Sequence, residues 1–522
     1  MSLEELKGKT FSEPVPEEDK TENQNNKQKI YEFANNQIER IVISDTDSTL
    51  VYGIILVNNH KQTIRLGSFE SIQWLKALYY DKDEDFHSEE TYNNVLSMIV
   101  AQAHQDEKTE HVPIYNRIAL VDDAIYYDFC NSNWEAIKIS KDGYQVVSLN
   151  EKTPIFTRKQ QQNPQVTPKK GAGAALNTLL KLFRIQESDR LIFKIHLITM
   201  LLEKYPIPIM IVHGEHGSIK STITKSVAKI LDPSAMNVIS IPKTASDLAL
   251  LFNNQYVTNF DNVSEISQEV SDMMCRAITG EGFRKRKLYT DDTEIIWNYK
   301  RKIIINGITP SLDYPDFKDR SILYETIPVR EDERISEEEF QARFNKLLPF
   351  VLDEIFTILS QALLMYRRIK KEINTKQRMA DFTVFGECIS RMLKNPDFSF
   401  IKVYREKLDI DSLKMVDSYP IIEYITEIME TENKLEASVQ ELFGKINDMA
   451  LKKQLDIRSS EIKFPQAPNL LSTQINQLKS TFRRHNLEIE IKPYNLRDGK
   501  YTRGRSVVYI TKLDSGQKTL KE

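Results

Sequence analysis

The sequence predicts an α/β core built on a parallel sheet, preceded by an α+β domain and followed by a helical segment and a small helix-and-strand domain. Three observations carry this. Between about residues 175 and 335, apolar strand-like runs (209–212, 256–260, 302–305) alternate with amphipathic helical patterns, and such alternation implies parallel pairing with helical crossovers. Before that, short strand-like runs at 50–56, 117–121, 125–129 and 136–139 mix with helical patterns at 71–78 and 91–105. After it, 337–371 and 379–394 read as helices only.

At 522 residues the chain exceeds what one core holds, so several domains are expected. Residues 1–40, rich in Glu, Lys, Asn and Gln, read as a disordered tail. An α+β domain follows at 41–160, with Asp142-Gly143 as its hairpin turn. A Gln-, Pro- and Gly-rich linker spans 161–174, and the core spans 175–335. A helical lid and connector is expected at 336–432, a last domain at 433–515 and a tail at 516–522. The net charge of −4 gives no global basic field, so nucleic-acid contact has to come from local clusters. Cys130, Cys275 and Cys388 lie far apart without metal-ligand spacing, as in a reducing compartment. The sequence reads as having no apolar run near the ~20 residues that span a bilayer, and no signal pattern. A cytoplasmic location without a membrane partner is the expectation.

The candidate chemistry lies where the first core strand ends. The segment Gly214-Glu215-His216-Gly217-Ser218-Ile219-Lys220-Ser221-Thr222 follows a strand and opens a helix that Asp232-Pro233 stops. Such a loop turns backbone N–H groups toward phosphate oxygens, and the helix dipole adds to the field. Lys220 would neutralise the β- and γ-phosphates of ATP, and Ser221 would offer a hydroxyl to Mg²⁺. Ile219 stands where the usual pattern has a second glycine, and a Cβ there can obstruct backbone approach. By itself the loop is also compatible with a strand–turn–helix bearing a surface lysine.

The downstream order strengthens the nucleotide reading. A strand ends in Asp261, suited to anchor Mg²⁺ with Ser221, and another ends in Asn306, suited to orient an attacking water. Arg320 follows at a spacing that suits an arginine finger reaching a neighbouring subunit's site. Asn262 follows Asp261 where a water-polarising glutamate often stands; Glu265 or Glu281 are open substitutes, and a nucleotide-binding but inactive protein is the bland alternative. These residues in this order are those of an AAA+-type P-loop ATPase.

The phrases Asp261-Asn262-Val263-Ser264, the run 278–291, Ile305-Asn306-Gly307 and Asp319-Arg320-Ser321, with Trp134-Glu135 and Asp142-Gly143-Tyr144 upstream, resemble AAA+ minichromosome-maintenance-like replicative helicases of phages, plasmids and genomic islands. The self-loading helicases of staphylococcal cassettes and pathogenicity islands are the group most similar in these phrases. The resemblance covers roughly residues 115 to 325. It implies a ring hexamer with ATP at subunit interfaces, DNA translocation and replication proteins as partners. In that family a hairpin before the Asn strand holds DNA in the channel. Arg284, Lys285, Arg286 and Lys287 followed by an acidic turn fit it, and a solvated basic strand is the alternative.

Near the C-terminus, helical patterns at 438–451 and 470–485 and strands at 488–492 and 507–511 suggest a winged helix. Its wing, 495–506, holds Arg497, Lys500, Arg503 and Arg505 among glycines and Tyr501, which suits phosphate contact. Lys479, Arg483 and Arg484 lie on the preceding helix. Two functions stay open: a DNA helicase or replication initiator of a mobile element, and a DNA-binding AAA+ switch that remodels a nucleoprotein partner without unwinding. A nucleotide-sensing scaffold is a third.

Overall fold

The computed structural model describes residues 17–83, 87–150, 152–214, 219–264, 266–281, 283–286, 294–297, 300–307, 314–328, 331–373, 379–457, 464–492, 496–497, 500–501 and 506–513. Its centre is a four-stranded parallel sheet. The strands are Val257–Phe260 (the acid strand, leading to Asp261), Lys302–Gly307 (the amide strand, carrying Asn306), Ile209–His213 (the loop strand) and Ser321–Glu325 (the edge strand), side by side in that order. The register pairs Val212 with Asn306 and Phe260 with Ile305, so all strands leave the sheet along one carboxyl edge. Each strand is an apolar run because helices cover the sheet. Arg190–Thr199, Lys220–Leu231 (the loop helix), Gln268–Thr279 and Glu337–Glu372 all place side chains in the same core.

Glu337–Glu372 is capped by Ser336, carries Glu337, Glu338 and Glu339 in its first turn and Lys370 and Lys371 in its last, matching the helix dipole. It is long and apolar enough to cross a membrane, the only such helix among the described residues, and more than half of its apolar stretch is buried inside the protein. Phe340, Phe344, Leu348, Leu352, Ile355 and Leu359 recur at helical spacing and enter the core.

The N-terminal region differs from the expected tail and single domain. Glu17–Gln37 is a helix whose Ile30 and Ala34 are fully buried, so the expected disorder does not extend through residue 40; these two residues, one turn apart, anchor an otherwise polar helix. A sheet of His60–Arg65, Val51–Val57, Ile38–Ser44 and Glu110–Val112, in that order, forms a core of its own with Phe69–Asp83 and Glu89–Gln105. The next sheet is an antiparallel meander of Ile118–Val121, Ala124–Asp128, Glu135–Ser140 and Gly143–Ser148. Its turn uses Gly143 at φ +124, a conformation open to glycine. Ile118, Ile125, Tyr127, Ile137 and Ile139 join the main core, so the expected domain at 41–160 is two units, the second fused to the central sheet. Residues 161–174 are not a free linker. Asn163 N–H donates to Pro233 O at 2.8 Å, Ala235 N–H to Gln161 O at 2.8 Å, and Gln165 is buried. Polar composition signalled a loop; its amides and carbonyls are spent on the core.

The C-terminal unit has a separate core. It begins earlier than residue 433: Pro420–Glu430 buries Ile421, Ile422, Ile425 and Met429 there. Lys434–Ser438, Val507–Lys512 and Leu487–Lys492 form a three-stranded sheet in that order. Ser438 and Glu441 make a capping box on Val439–Lys452. The helix expected at 470–485 is two, Pro468–Gln477 and Lys479–Arg484, broken at Leu478.

His196 ties a helix to the sheet. Its Nε2 lies 2.9 Å from Pro208 O, and its Nδ1 lies 3.0 Å from the Tyr324 hydroxyl. Burial pushes its pKa down to about 4. The folded protein therefore holds a neutral ring where the unfolded chain binds a proton below about 6.5. Stability should fall as pH drops from about 6.5 through about 4 and level off below, a loss of about 3 kcal/mol from this group. Equilibrium unfolding of wild type and His196→Gln across that range measures it; the same pH slope in both would refute the assignment.

Candidate functional site

At the carboxyl edge of the sheet the strand order brings together residues far apart in sequence. Gly214 leaves the loop strand at φ 153, where a side chain would be strained. Glu215, His216, Gly217 and Ser218 lie outside the described residues. Ile219 caps the loop helix with φ −75 and ψ 28, so no glycine is required; its half-buried side chain packs on the core.

Lys220 opens the helix, buried, and its ammonium donates to Gly214 O at 2.9 Å. Burial lowers its pKa, and Asp261 opposes part of that shift. Ser221 donates its hydroxyl to Asp261 Oδ1 at 2.8 Å, so the two oxygens assigned to Mg²⁺ are neighbours. Thr222 is half-buried on the same turn. Asn306 lies between the two halves of the site: its Nδ2 donates to Thr224 Oγ1 at 3.0 Å, and its Oδ1 accepts from Asn262 N–H at 3.1 Å. Asn262 takes φ +52, which Asn tolerates better than most residues. Gly307 is required by a close approach, because a Cβ there would lie 2.2 Å from Val263 O. The hydroxyl and carboxylate oxygens of Ser221 and Asp261 are the hard donors Mg²⁺ takes together with phosphate oxygens and water.

The remaining candidates divide. Glu281 follows the helix that ends beside Lys300, where Arg301 N–H donates to Ala277 O. That is the amino edge of the sheet, away from Lys220, which removes Glu281 as a hydrolytic residue for this site; Glu265 lies outside the described residues. Arg320 precedes the edge strand, and its carbonyl accepts from Ile209 N–H at 2.7 Å, again at the amino edge. Five residues of strand put it ~15 Å from the loop of its own chain. Its side chain is 11% exposed and ion-paired with Asp316. A role within its own subunit is excluded by that distance, and a role in a neighbour's site requires the guanidinium to leave Asp316.

The basic candidates are placed by backbone. Phe283–Arg286, with Arg284 and Lys285, pairs antiparallel with Glu294–Trp297. Lys287 lies outside the described residues. Leu496–Arg497 pairs with Lys500–Tyr501, and Arg503 and Arg505 lie outside the described residues.

One feature had no sequence signal of its own. A groove of about 820 Å³ opens beside Ile219, between Ala175–Leu182 and the start of Glu337–Glu372. Leu182, Ile335, Phe340, Leu347 and Phe350 give it an apolar lining, and Lys181, Arg184, Arg334, Arg343 and Lys346 add cations. Arg184 is ion-paired there with Glu333. Phe340, Leu347 and Phe350 repeat at helical spacing and read as an ordinary core stripe.

Fold and site define an α/β protein that gathers an ammonium, a hydroxyl, a carboxylate and an amide at the carboxyl edge of a parallel sheet. Two family models match the chain: the actinomycete integrative conjugative element replication protein, AICE RepA, over residues 176–412, and the AICE RepA C-terminal domain over 421–518. The chain belongs to this family of replication proteins. The second model begins where the C-terminal unit does, at the helix Pro420–Glu430. No curated protein matches the sequence. Among solved structures, the chain is similar to the C-terminal region of NrS-1 in its A form, at 13% identity over 92% of this chain and 98% of that one, with a TM-score of 0.39. It is also similar to the active helicase Cch of SCCmec type IV, at 12% identity over 91% and 92%, with a TM-score of 0.43.

Lys220→Ala should abolish the binding of a fluorescent ATP analogue while leaving the thermal unfolding midpoint within a few degrees. Removing the ammonium leaves phosphate charge uncompensated, and the hydrogen bond lost to Gly214 O lies within the loop itself. Binding equal to wild type would refute the loop assignment.

Proposed function

We propose that this replication protein is an AAA+-type P-loop ATPase that acts as a DNA helicase or replication initiator of a mobile genetic element, assembled as a ring. The convergence of Lys220, Ser221, Asp261 and Asn306 at one edge of the sheet carries the reading. Lys220 binds the phosphate tail. Ser221 and Asp261 hold Mg²⁺, which supplies charge neutralisation when bound. Asn306, fixed by Thr224 and by Asn262 N–H, presents its amide toward the place of an attacking water. The groove beside Ile219 is large and apolar enough for the base.

Family membership supports a replication role, and the arrangement of the C-terminal unit supports a winged helix: helix, strand, helices, then two strands flanking a short hairpin. That hairpin carries Arg497 and Lys500, and the hairpin inserted before the amide strand carries Arg284, Lys285 and Arg286. In this reading the wing holds duplex and the inserted hairpin follows the translocating strand. Arg320 stands at the amino edge, out of reach of its own loop, which favours a subunit interface as the place where it would act.

Asn262 in the place of a glutamate favours a second reading, an AAA+ regulator that binds DNA and nucleotide and remodels a nucleoprotein partner without unwinding. Forked-DNA unwinding with ATP separates the two: product strands support the helicase, and ATP turnover without strand separation supports the regulator.

Two further outcomes follow. Mixing Arg320→Ala subunits with Lys220→Ala subunits should give more ATP turnover than the sum of the separate variants, because a mixed interface pairs an intact loop with an intact finger. Mixed rings that never exceed that sum refute the trans role. Replacing Arg497, Lys500, Arg503 and Arg505 by Ala should flatten the salt dependence of duplex binding by roughly one unit of log–log slope per lost phosphate contact. ATP turnover without DNA should be unchanged, and an unchanged salt slope would make the C-terminal unit a protein-docking module.

A further inference from the structure

The back end of the loop helix is held by residues that lie outside both family matches. Lys220–Leu231 starts at the phosphate loop and ends on Asp232. The Asp232 carboxylate is shared. Its Oδ1 accepts from Arg117 Nε at 2.8 Å, and its Oδ2 accepts from the backbone N–H of Tyr256 at 3.1 Å and of Val257 at 3.3 Å, where the acid strand begins. Three of the other four Arg117 N–H groups go to the carbonyls of Asp128 at 3.1 Å, Asn163 at 3.0 Å and Pro233 at 2.9 Å. The two side chains are 0% and 3% exposed. Beside them, Gln165 Nε2 lies 3.0 Å from Lys229 O, Ile230 O and the Tyr127 hydroxyl, covering carbonyls in the last turn of the loop helix.

The loop helix and the acid strand are thus two stiff rods joined at one end by Asp232. At their other ends stand Ser221 and Asp261, 2.8 Å apart. The helix is ~18 Å long, so a small tilt at its back end becomes a shift of comparable or larger size at Ser221. A buried ion pair is a weak source of net stability, because desolvation offsets its attraction. Fixed geometry is what this one offers, and it fixes the two elements that carry the Mg²⁺ ligands.

We propose that Arg117, assisted by Gln165, is a positioning residue for the Mg²⁺–nucleotide site, setting the Ser221–Asp261 separation through Asp232. The proposal rests on the ATPase reading. It also makes the meander sheet and the strap at 161–174 a working part of the nucleotide site.

The test uses the full chain as wild type, Arg117→Lys and Gln165→Leu. Lysine keeps the charge and cannot reach four acceptors; leucine keeps the volume and loses the amide. The readout is the factor by which Mg²⁺ strengthens binding of a non-hydrolysable ATP analogue, measured by calorimetry at a temperature where circular dichroism shows each variant folded. That factor should shrink roughly 10–100-fold, the range for losing support behind a metal ligand, while affinity without Mg²⁺ is retained. A brace that serves stability alone lowers the melting temperature and leaves the Mg²⁺ factor unchanged, and that result overturns the proposal. If Arg117→Lys does not fold, Gln165→Leu decides by the same criterion. A wild type that binds no analogue overturns the ATPase reading and this proposal with it; a wild type that binds, with variants unchanged, overturns this proposal alone.

Discussion

The order of four parallel strands is the constraint on which the site depends. A parallel sheet releases every strand at the same edge, and here the amide strand lies between the loop strand and the acid strand. Asn306 is therefore flanked by the loop helix on one side and by the chain leaving Asp261 on the other, without any long loop having to reach across. The closeness has a steric consequence. The backbone at Val263 crosses the end of the amide strand so tightly that only glycine fits at position 307. The positive φ of Asn262 is part of the same crossing. Polar groups meet at the carboxyl edge because apolar runs are buried behind it.

Apolar packing decides which parts of the chain can move. Three main cores are distinct: the first sheet with its helices, the central sheet with the meander and the long helices, and the C-terminal unit. The meander is locked to the centre by shared burial and by the Arg117–Asp232 pair, whereas the C-terminal unit encloses its own apolar cluster. Relative motion is the default between units that do not share a large apolar interface. The brace behind the loop helix joins the meander to the central sheet, and among the described residues no such buried pair belongs to the C-terminal unit's own cluster.

Much of this was legible in the sequence, and the failures have physical causes. The strands ending at His213, Phe260 and Gly307 announced themselves as apolar runs followed by a charge, amide or glycine, and their chain order carried the site. The resemblance through Asn306-Gly307 and Asp319-Arg320 agrees with the family found. Composition misled where polar residues are used by structure. The strap at 161–174 looks like a linker because its side chains are polar, yet its backbone is satisfied by Pro233, Ser234 and Ala235. Glu17–Gln37 looks disordered because only one stripe, through Ile30 and Ala34, is apolar. Arg117 gave no signal at all, since a lone arginine before a strand is ordinarily solvated, and its partner Asp232 lies 115 positions away.

The chain is acidic overall, with a net charge of −4, and cations line the groove beside Ile219 and stand on the hairpins at 283–297 and 496–501. At physiological salt the screening length is about 8 Å, so exposed patches separated by more than that act largely on their own. In the proposed reading, screened electrostatics alone would not carry nucleotide state from the groove beside Ile219 to DNA held on the hairpin. A covalent path would. Phe283–Arg286 follows the helix Gln268–Thr279, and Glu294–Trp297 leads into the amide strand that ends at Asn306. In the proposed reading, a shift of Asn306 accompanying a change at Thr224 or Asn262 would travel along that strand to the base of the hairpin. The insertion point therefore matters more than the number of cations on it: the same basic residues on a surface loop would bind phosphate equally well and would be unable to couple that binding to the state of the site.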